Sequence, residues 1–304
     1  MVVCFVAMLS GCSSMLYAPT NDLYASPKAM GLSFDEVKLT SDSHSLYGWR
    51  LRETRFKKPK GWILFFHGNG QNRSAHFLSL VWLLDRGYDY FIFDYQGYGE
   101  SEGKPSPEAT VDDGIAAMTW FFQTSKEPRY QGVPMIVFAQ SLGGAVALRS
   151  LEEYTAKTSQ PIPPLRWVVL DSSFLSYQRA AASVLSKHWL TFLFQPFSAL
   201  LISDAEAPKH DLDRLPKTNY LVMHGNEDQI IDFSLGKELF AALPKPKAWI
   251  EIEGGHHIDG LSAHGDRYRE EFLKIIGSDP GAQSQSRPET SGAQARSTKS
   301  RGTH

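Results

Sequence analysis

Cysteine is nearly absent from this 304-residue chain. Cys4 and Cys12 are the only two, both in the first dozen residues, so the rest of the sequence can hold no disulfide and no thiolate metal site. Excess charge is missing as well. Lys and Arg number 31 against 33 Asp and Glu, a formal charge of −2, and with no positive surplus to draw in a polyanion, nucleic acid is set aside as a partner. No apolar run reaches the ~20 residues that a membrane-spanning helix needs. No segment of about 20 to 50 residues recurs, which sets a solenoid aside. What remains is 42% hydrophobic, 12% aromatic and 21% charged, the composition of a globular protein with a sizeable core.

The two ends differ from the middle. "MVVCFVAMLSGCSS" is an apolar run of the length of a signal-peptide core, closing on small residues, although no Lys or Arg precedes it. Its "LSGC", Leu9 to Cys12, resembles the lipobox of bacterial lipoproteins. That resemblance implies a signal peptide over 1–11, lipidation of Cys12 as the first mature residue, and a turn-rich tether over 12–30. It also implies a lipid-anchored protein on the extracytoplasmic side of the bacterial cell envelope. From 278 to 304 large apolar residues almost vanish, and a segment unable to bury apolar surface is expected to stay disordered.

Between the ends, short apolar runs alternate with longer helical patterns, the βαβ signature of a mostly parallel sheet. "FDEVKLT" and "HSLYGWRLRE" alternate apolar with polar residues, as antiparallel edge strands do. "WILFFHG", "YFIFDYQG", "MIVFAQS", "WVVLDSS", "NYLVMHG" and "AWIEIEGG" are near-continuous apolar runs, the mark of strands buried on both faces. Helices are expected at about 74–85, 106–124, 142–154, 175–187, 233–242 and 266–276. The expectation is one α/β domain over 31–277 with an eight-stranded, mostly parallel sheet flanked by helices.

The fifth strand runs directly into "AQSLGG", Ala139 to Gly144. A small residue, any residue, serine, any residue, glycine is a weak signal alone. At a strand-to-helix turn it has a mechanism: the turn is so tight that its neighbours must be small, and the serine oxygen projects above the sheet. Ala139 stands where glycine is usual. A serine hydroxyl also needs a base, and the base a carboxylate to orient it. "HGNEDQIID" after the seventh strand offers Asp228, with Glu227 and Asp232 as competitors and Asp171 after the sixth. "GGHHIDG" after the eighth offers His256, with His257 second and His264 farther off. The histidine pair has no coherent metal-ligand spacing around it, so no metal or organic cofactor is expected.

Ser, then acid, then His, each after a later strand, is the order of the α/β-hydrolase superfamily. The chain resembles that superfamily over Phe34 to Ile276, and especially the branch carrying "FFHGNG", "FDYQGYGESEG" and "HGNED". The resemblance implies a serine hydrolase with Ser141, Asp228 and His256 as its triad. The backbone amides of Asn69 and Leu142 would then form the oxyanion hole, with His67 shaping the loop. It implies a helical lid at about 172–218, where Trp189, Phe192, Phe194 and Phe197 would wall an acyl pocket or touch a bilayer, against the plainer reading of a helix pair packed on the sheet. The expected substrate is a small or lipid-like carboxylic ester or thioester. A peptidase of the same fold and an inactive binding lipoprotein are the competing readings.

Overall fold

The computed structural model describes residues 17–186, 202–210 and 212–278. All eight expected strands form: β1 Phe34–Ser41, β2 His44–Leu51, β3 Gly61–Phe66, β4 Tyr88–Phe93, β5 Met135–Gln140, β6 Trp167–Asp171, β7 Asn219–Gly225 and β8 Lys247–Ile252. They make one sheet in the order β1-β2-β4-β3-β5-β6-β7-β8. β2 pairs antiparallel with both β1 and β4, and every other pairing is parallel.

Why the central strands read as unbroken apolar runs follows from their surroundings. Along β3, Trp62, Leu64 and Phe66 point into one core while Ile63 and Phe65 point into the other. The two-residue period of a strand thus serves two apolar layers at once. One layer is closed by α1 Pro107–Thr124 and α2 Leu142–Thr158. The other is closed by α5 Gly265–Gly277, whose Tyr268, Phe272 and Ile276 share one helical stripe. Helix α1 starts where its sequence dictates: Ser106 Oγ accepts from the Ala109 amide and Pro107 occupies the first turn.

Helices α3 Tyr177–Ser186 and α4 Phe233–Ala242 flank β7 in sequence. The single helix expected over 74–85 is instead two one-turn pieces, Arg73–His76 and Trp82–Asp85, separated by a tighter turn over Phe77–Ser79. Side chains account for the break. Tyr90 Oη donates to the Phe77 carbonyl at 2.9 Å and Trp82 Nε1 to that of Ser79 at 3.0 Å, engaging acceptors that a continuous helix would use.

No helix among the described residues is long and apolar enough to cross a membrane. Cys12, where lipidation is expected, the expected lid aromatics Trp189, Phe192, Phe194 and Phe197, and all but the first residue of the tail over 278–304 lie outside the described residues. From Tyr17 onward the expected tether is hydrogen-bonded to the domain: the Ala18 amide donates to Asn69 Oδ1 at 2.9 Å, and Pro19 bridges Gln71.

Candidate active site

The register Gln140–Asp171–Met223 aligns the carboxyl ends of β5, β6 and β7, so Ser141, Ser172 and His224 emerge side by side. Ser141 adopts φ 53° and ψ −119°, a sparsely populated region that costs a non-glycine residue on the order of 1–3 kcal/mol. Three hydrogen bonds hold it there. The Ser141 amide donates to the Asp171 carbonyl at 2.8 Å, and the Ser141 carbonyl accepts from the Gly144 amide at 3.0 Å and from Ser173 Oγ at 2.9 Å.

The small residues around this serine are required by contact. A Cβ on Gly143 would come within 2.4 Å of the Phe66 carbonyl oxygen, and one on Gly144 within 2.1 Å of Ser173 Oγ. Ala139, by contrast, is accommodated in the core with no exposure. Leu142 opens α2, so its amide is one of the first-turn donors that a helix leaves without an internal acceptor, at its positive end.

Asp228 lies in the turn after β7 with all four acceptor positions engaged. Its Oδ1 accepts from the amides of Ile230 at 2.8 Å and Ile231 at 2.9 Å. Its Oδ2 faces His257 Nδ1 at 2.7 Å and His224 Nε2 at 3.2 Å, the latter nitrogen being shared with the Ile231 carbonyl at 3.1 Å. Burial alone would raise the pKa of this carboxyl, but the hydrogen bonds from the two histidines outweigh it and hold the group well below the usual carboxylate range.

The imidazole on this carboxylate belongs to His257 and not to His256. His256 is exposed, and its Nδ1 faces the backbone carbonyl of Glu227 at 3.1 Å. The backbone explains the one-residue difference. The Glu227 amide donates to the Gly255 carbonyl at 2.9 Å, and a Cβ on Gly225 would lie 2.2 Å from that carbonyl oxygen. The glycines therefore press residues 255–256 against the end of β7, and the chain turns inward only afterwards. Ile258 makes that turn at φ 53°, unusual for a β-branched residue, with its amide 3.2 Å from Ser172 Oγ. Ser172 is bonded in turn to the Met223 carbonyl through its amide at 2.9 Å. The histidine loop is thus tied to the same strand ends that hold Ser141.

Asp171, the alternative acid, is buried and accepts from Gln140 Nε2 at 3.0 Å and Ser172 Oγ at 3.3 Å. Burial raises its pKa, and among the described residues no imidazole is hydrogen-bonded to it.

The loop after β3 carries Asn69. Its Oδ1 accepts from Tyr98 Oη at 2.7 Å and from the amides of Ala18 and Gly70, each at 2.9 Å. Gly68 lies against the turn at Ser141, its Cβ position 3.5 Å from the Ser141 Cβ. Beneath the loop, His67 and His76 stack with ring centroids 5.2 Å apart. Burial lowers the pKa of each to about 4, so both are neutral at pH 7. Asp94, its own pKa raised to about 6 by burial, pairs with Arg73. His67 touches the Gly68 carbonyl through Nδ1 at 2.8 Å and shapes the loop.

Sequence reasoning missed His224 as a second imidazole on Asp228. Its signal was present, since His224 and Asp228 stand four residues apart in "HGNED".

A sheet of this order, with a strained serine leading from its fifth strand into a helix, makes the protein an α/β-hydrolase. It belongs to the family described as serine aminopeptidase, S33, which matches residues 57–217, more than half of the chain. Uncharacterized protein YfhR of Salmonella typhimurium is 29% identical over 284 residues, spanning 90% of this chain and 91% of that protein. A lysophosphatidylserine lipase, ABHD12 of Danio rerio, is 25% identical over 73% of this chain and 56% of its own length. Among solved structures, the Pyrococcus furiosus esterase Pf2001 superposes with a TM-score of 0.66 at 19% identity, covering 85% of this chain and 97% of that one. The protein is a hydrolase of that family.

Proposed function

We propose that the protein is a serine hydrolase that cleaves carboxylic esters or thioesters through an acyl-enzyme. The observation that carries this reading is the 2.7 Å contact between His257 Nδ1 and Asp228 Oδ2, built on the strand ends that also hold the strained Ser141. With Nδ1–H committed to the carboxylate, the Nε2 lone pair is left to act as base. Ser141 Oγ attacks the acyl carbon as its proton passes to His257 Nε2. The imidazolium then protonates the departing alkoxide or thiolate. Water, deprotonated by the same nitrogen, releases the carboxylic acid and restores Ser141. The amides of Leu142 and Asn69 are the donors for the oxyanion, each typically worth about 3 kcal/mol in the transition state.

The mature chain is anchored to the bacterial cell envelope through a lipid on Cys12 and acts on lipid-like acyl substrates. The lipobox-like "LSGC" and the apolar segment from His188 support this reading, as does the similarity to a protein named as a lysophosphatidylserine lipase. A second reading, cleavage of aminoacyl amides, is favoured by the family's description as a serine aminopeptidase.

One experiment separates them: turnover of p-nitrophenyl esters of graded chain length beside aminoacyl p-nitroanilides, with Ser141→Ala as control. Ester turnover that persists as chains lengthen and disappears in the variant supports the proposal. Turnover of the anilides alone would overturn it in favour of the peptidase.

A further inference from the structure

We propose that residues 17–24 are a working part of the active site, a strap that fixes the loop carrying Asn69. This rests on the hydrolase reading above and concerns how its oxyanion donor is held in place.

The loop has reason to need such support. Gly70 and Gln71 both have positive φ, 75° and 58°. A non-glycine residue there persists only when its surroundings over-determine it. The strap supplies contacts along the loop. The Ala18 amide donates to Asn69 Oδ1 at 2.9 Å, and the Thr20 amide to the Gln71 carbonyl at 3.4 Å. Asn72 Nδ2 donates to the carbonyls of Thr20 at 2.9 Å and Asp22 at 2.8 Å, while the Tyr24 amide donates to Ser74 Oγ at 3.0 Å. The Thr20 carbonyl also accepts from the Gly99 amide at 3.0 Å, joining the loop to the turn that bears Tyr98.

These bonds converge on Asn69. Its Oδ1 receives three donors, from the strap, from Tyr98 and from its own neighbour Gly70. Fixing that side chain fixes the peptide whose amide would face the oxyanion. Within the strap only Tyr17 joins the hydrophobic core; apart from the Thr20 Oγ1–Tyr24 Oη bond at 3.1 Å, the rest hydrogen-bonds to the loop and the adjoining turn. Ala18, Asn72 and Tyr98 are therefore positioning residues, acting through Asn69 and not on the substrate.

A positioning role and a packing role differ in what they do to turnover. Displacing an oxyanion donor lowers kcat and leaves ground-state binding largely intact. The full chain is compared with a deletion of residues 17–24, with Ala18→Pro, which removes one amide donor, and with Asn72→Asp. The last keeps the oxygen that caps the Ser74 amide at 2.9 Å but turns an acceptor toward the two strap carbonyls. Hydrolysis of p-nitrophenyl butyrate and the rate of fluorophosphonate labelling are measured on each, with circular dichroism and melting as fold controls.

The expected result is a drop in kcat of roughly 10- to 100-fold with little change in KM, and labelling slowed in step. Unchanged kcat in folded variants, or a loss confined to KM, would overturn the proposal. Should the deletion fail to fold, the two substitutions carry the same test. Labelling that is absent even in the unmodified chain would overturn the hydrolase reading and this proposal with it. Equal labelling in chain and variants would overturn this proposal alone.

Discussion

His257 Nδ1 stands 2.7 Å from Asp228 Oδ2, while His256, one residue earlier, faces the Glu227 carbonyl at 3.1 Å. The two imidazoles should therefore separate sharply in kinetics. His257→Ala is expected to lower kcat by roughly four orders of magnitude, as removal of a triad base does. His256→Ala, an exposed side chain, is expected to stay within about twofold of the unmodified protein. Steady-state ester hydrolysis by both variants decides it, and the reverse pattern would return the base to His256.

The two buried carboxylates at this end of the sheet should separate as well. Asp228→Asn is expected to cost kcat about 10⁴-fold by spoiling the tautomer of His257, while Asp171→Asn, bonded to Gln140 and Ser172, should act chiefly on stability. The pH dependence has a definite sign. The pKa of Asp228 is depressed on folding, so its stabilising contribution is complete above the unfolded carboxylate value near 3.9 and is lost as pH falls through its lower folded value. In urea titrations Asp228→Asn should be less stable than the parent at pH 7, with the gap closing only below about pH 4.

His76 gives a second pH signature, in a higher window. It is held neutral by burial, with its pKa lowered from 6.5 to about 4. The unfolded chain binds a proton between those values and the folded chain does not, so stability falls as pH drops from 6.5 toward 4. His76→Gln removes that dependence. The stability advantage of the parent over the variant should shrink by up to ~3 kcal/mol across the window, measured by urea unfolding at pH 7 and pH 4.5. A gap that stays constant would mean that His76 is not buried as described.

Gly144 tests the turn at Ser141 sterically. A Cβ there would lie 2.1 Å from Ser173 Oγ and 2.5 Å from Ser173 Cβ, and Ser173 Oγ is a support of the Ser141 carbonyl. Gly144→Ala should cost about 1–3 kcal/mol in stability as overpacking and lower kcat. Pairing it with Ser173→Ala relieves the clash with the hydroxyl but removes the support, so stability should recover more than activity.

How much of this was legible beforehand depended on the kind of signal. The eight strands could be read because each central one must satisfy two apolar layers; Trp62, Ile63, Leu64, Phe65 and Phe66 leave no polar gap. The tight turn at Ser141 was legible because contacts by Gly143 and Gly144 demand small residues at fixed offsets. The position of Asp228 in the turn after β7 was legible too. Which of His256 and His257 meets Asp228 was not legible. It depends on where a loop turns inward, set by Gly225 against Gly255 and by the φ of Ile258, and spacing cannot resolve one residue there. The break at Phe77–Ser79 was hidden because Tyr90, which takes the Phe77 carbonyl, is distant in sequence. The strap was hidden for another reason: its donors at Ala18, Thr20 and Tyr24 are backbone amides, which carry no side-chain pattern.

The central claim, that Ser141 is the nucleophile, is tested most directly by intact-protein mass spectrometry after incubation with a fluorophosphonate. The account predicts one adduct per chain on the parent protein, mapped to the peptide containing Ser141, and none on a folded Ser141→Ala variant. An adduct that survives in Ser141→Ala, or no adduct on folded parent protein, would contradict it.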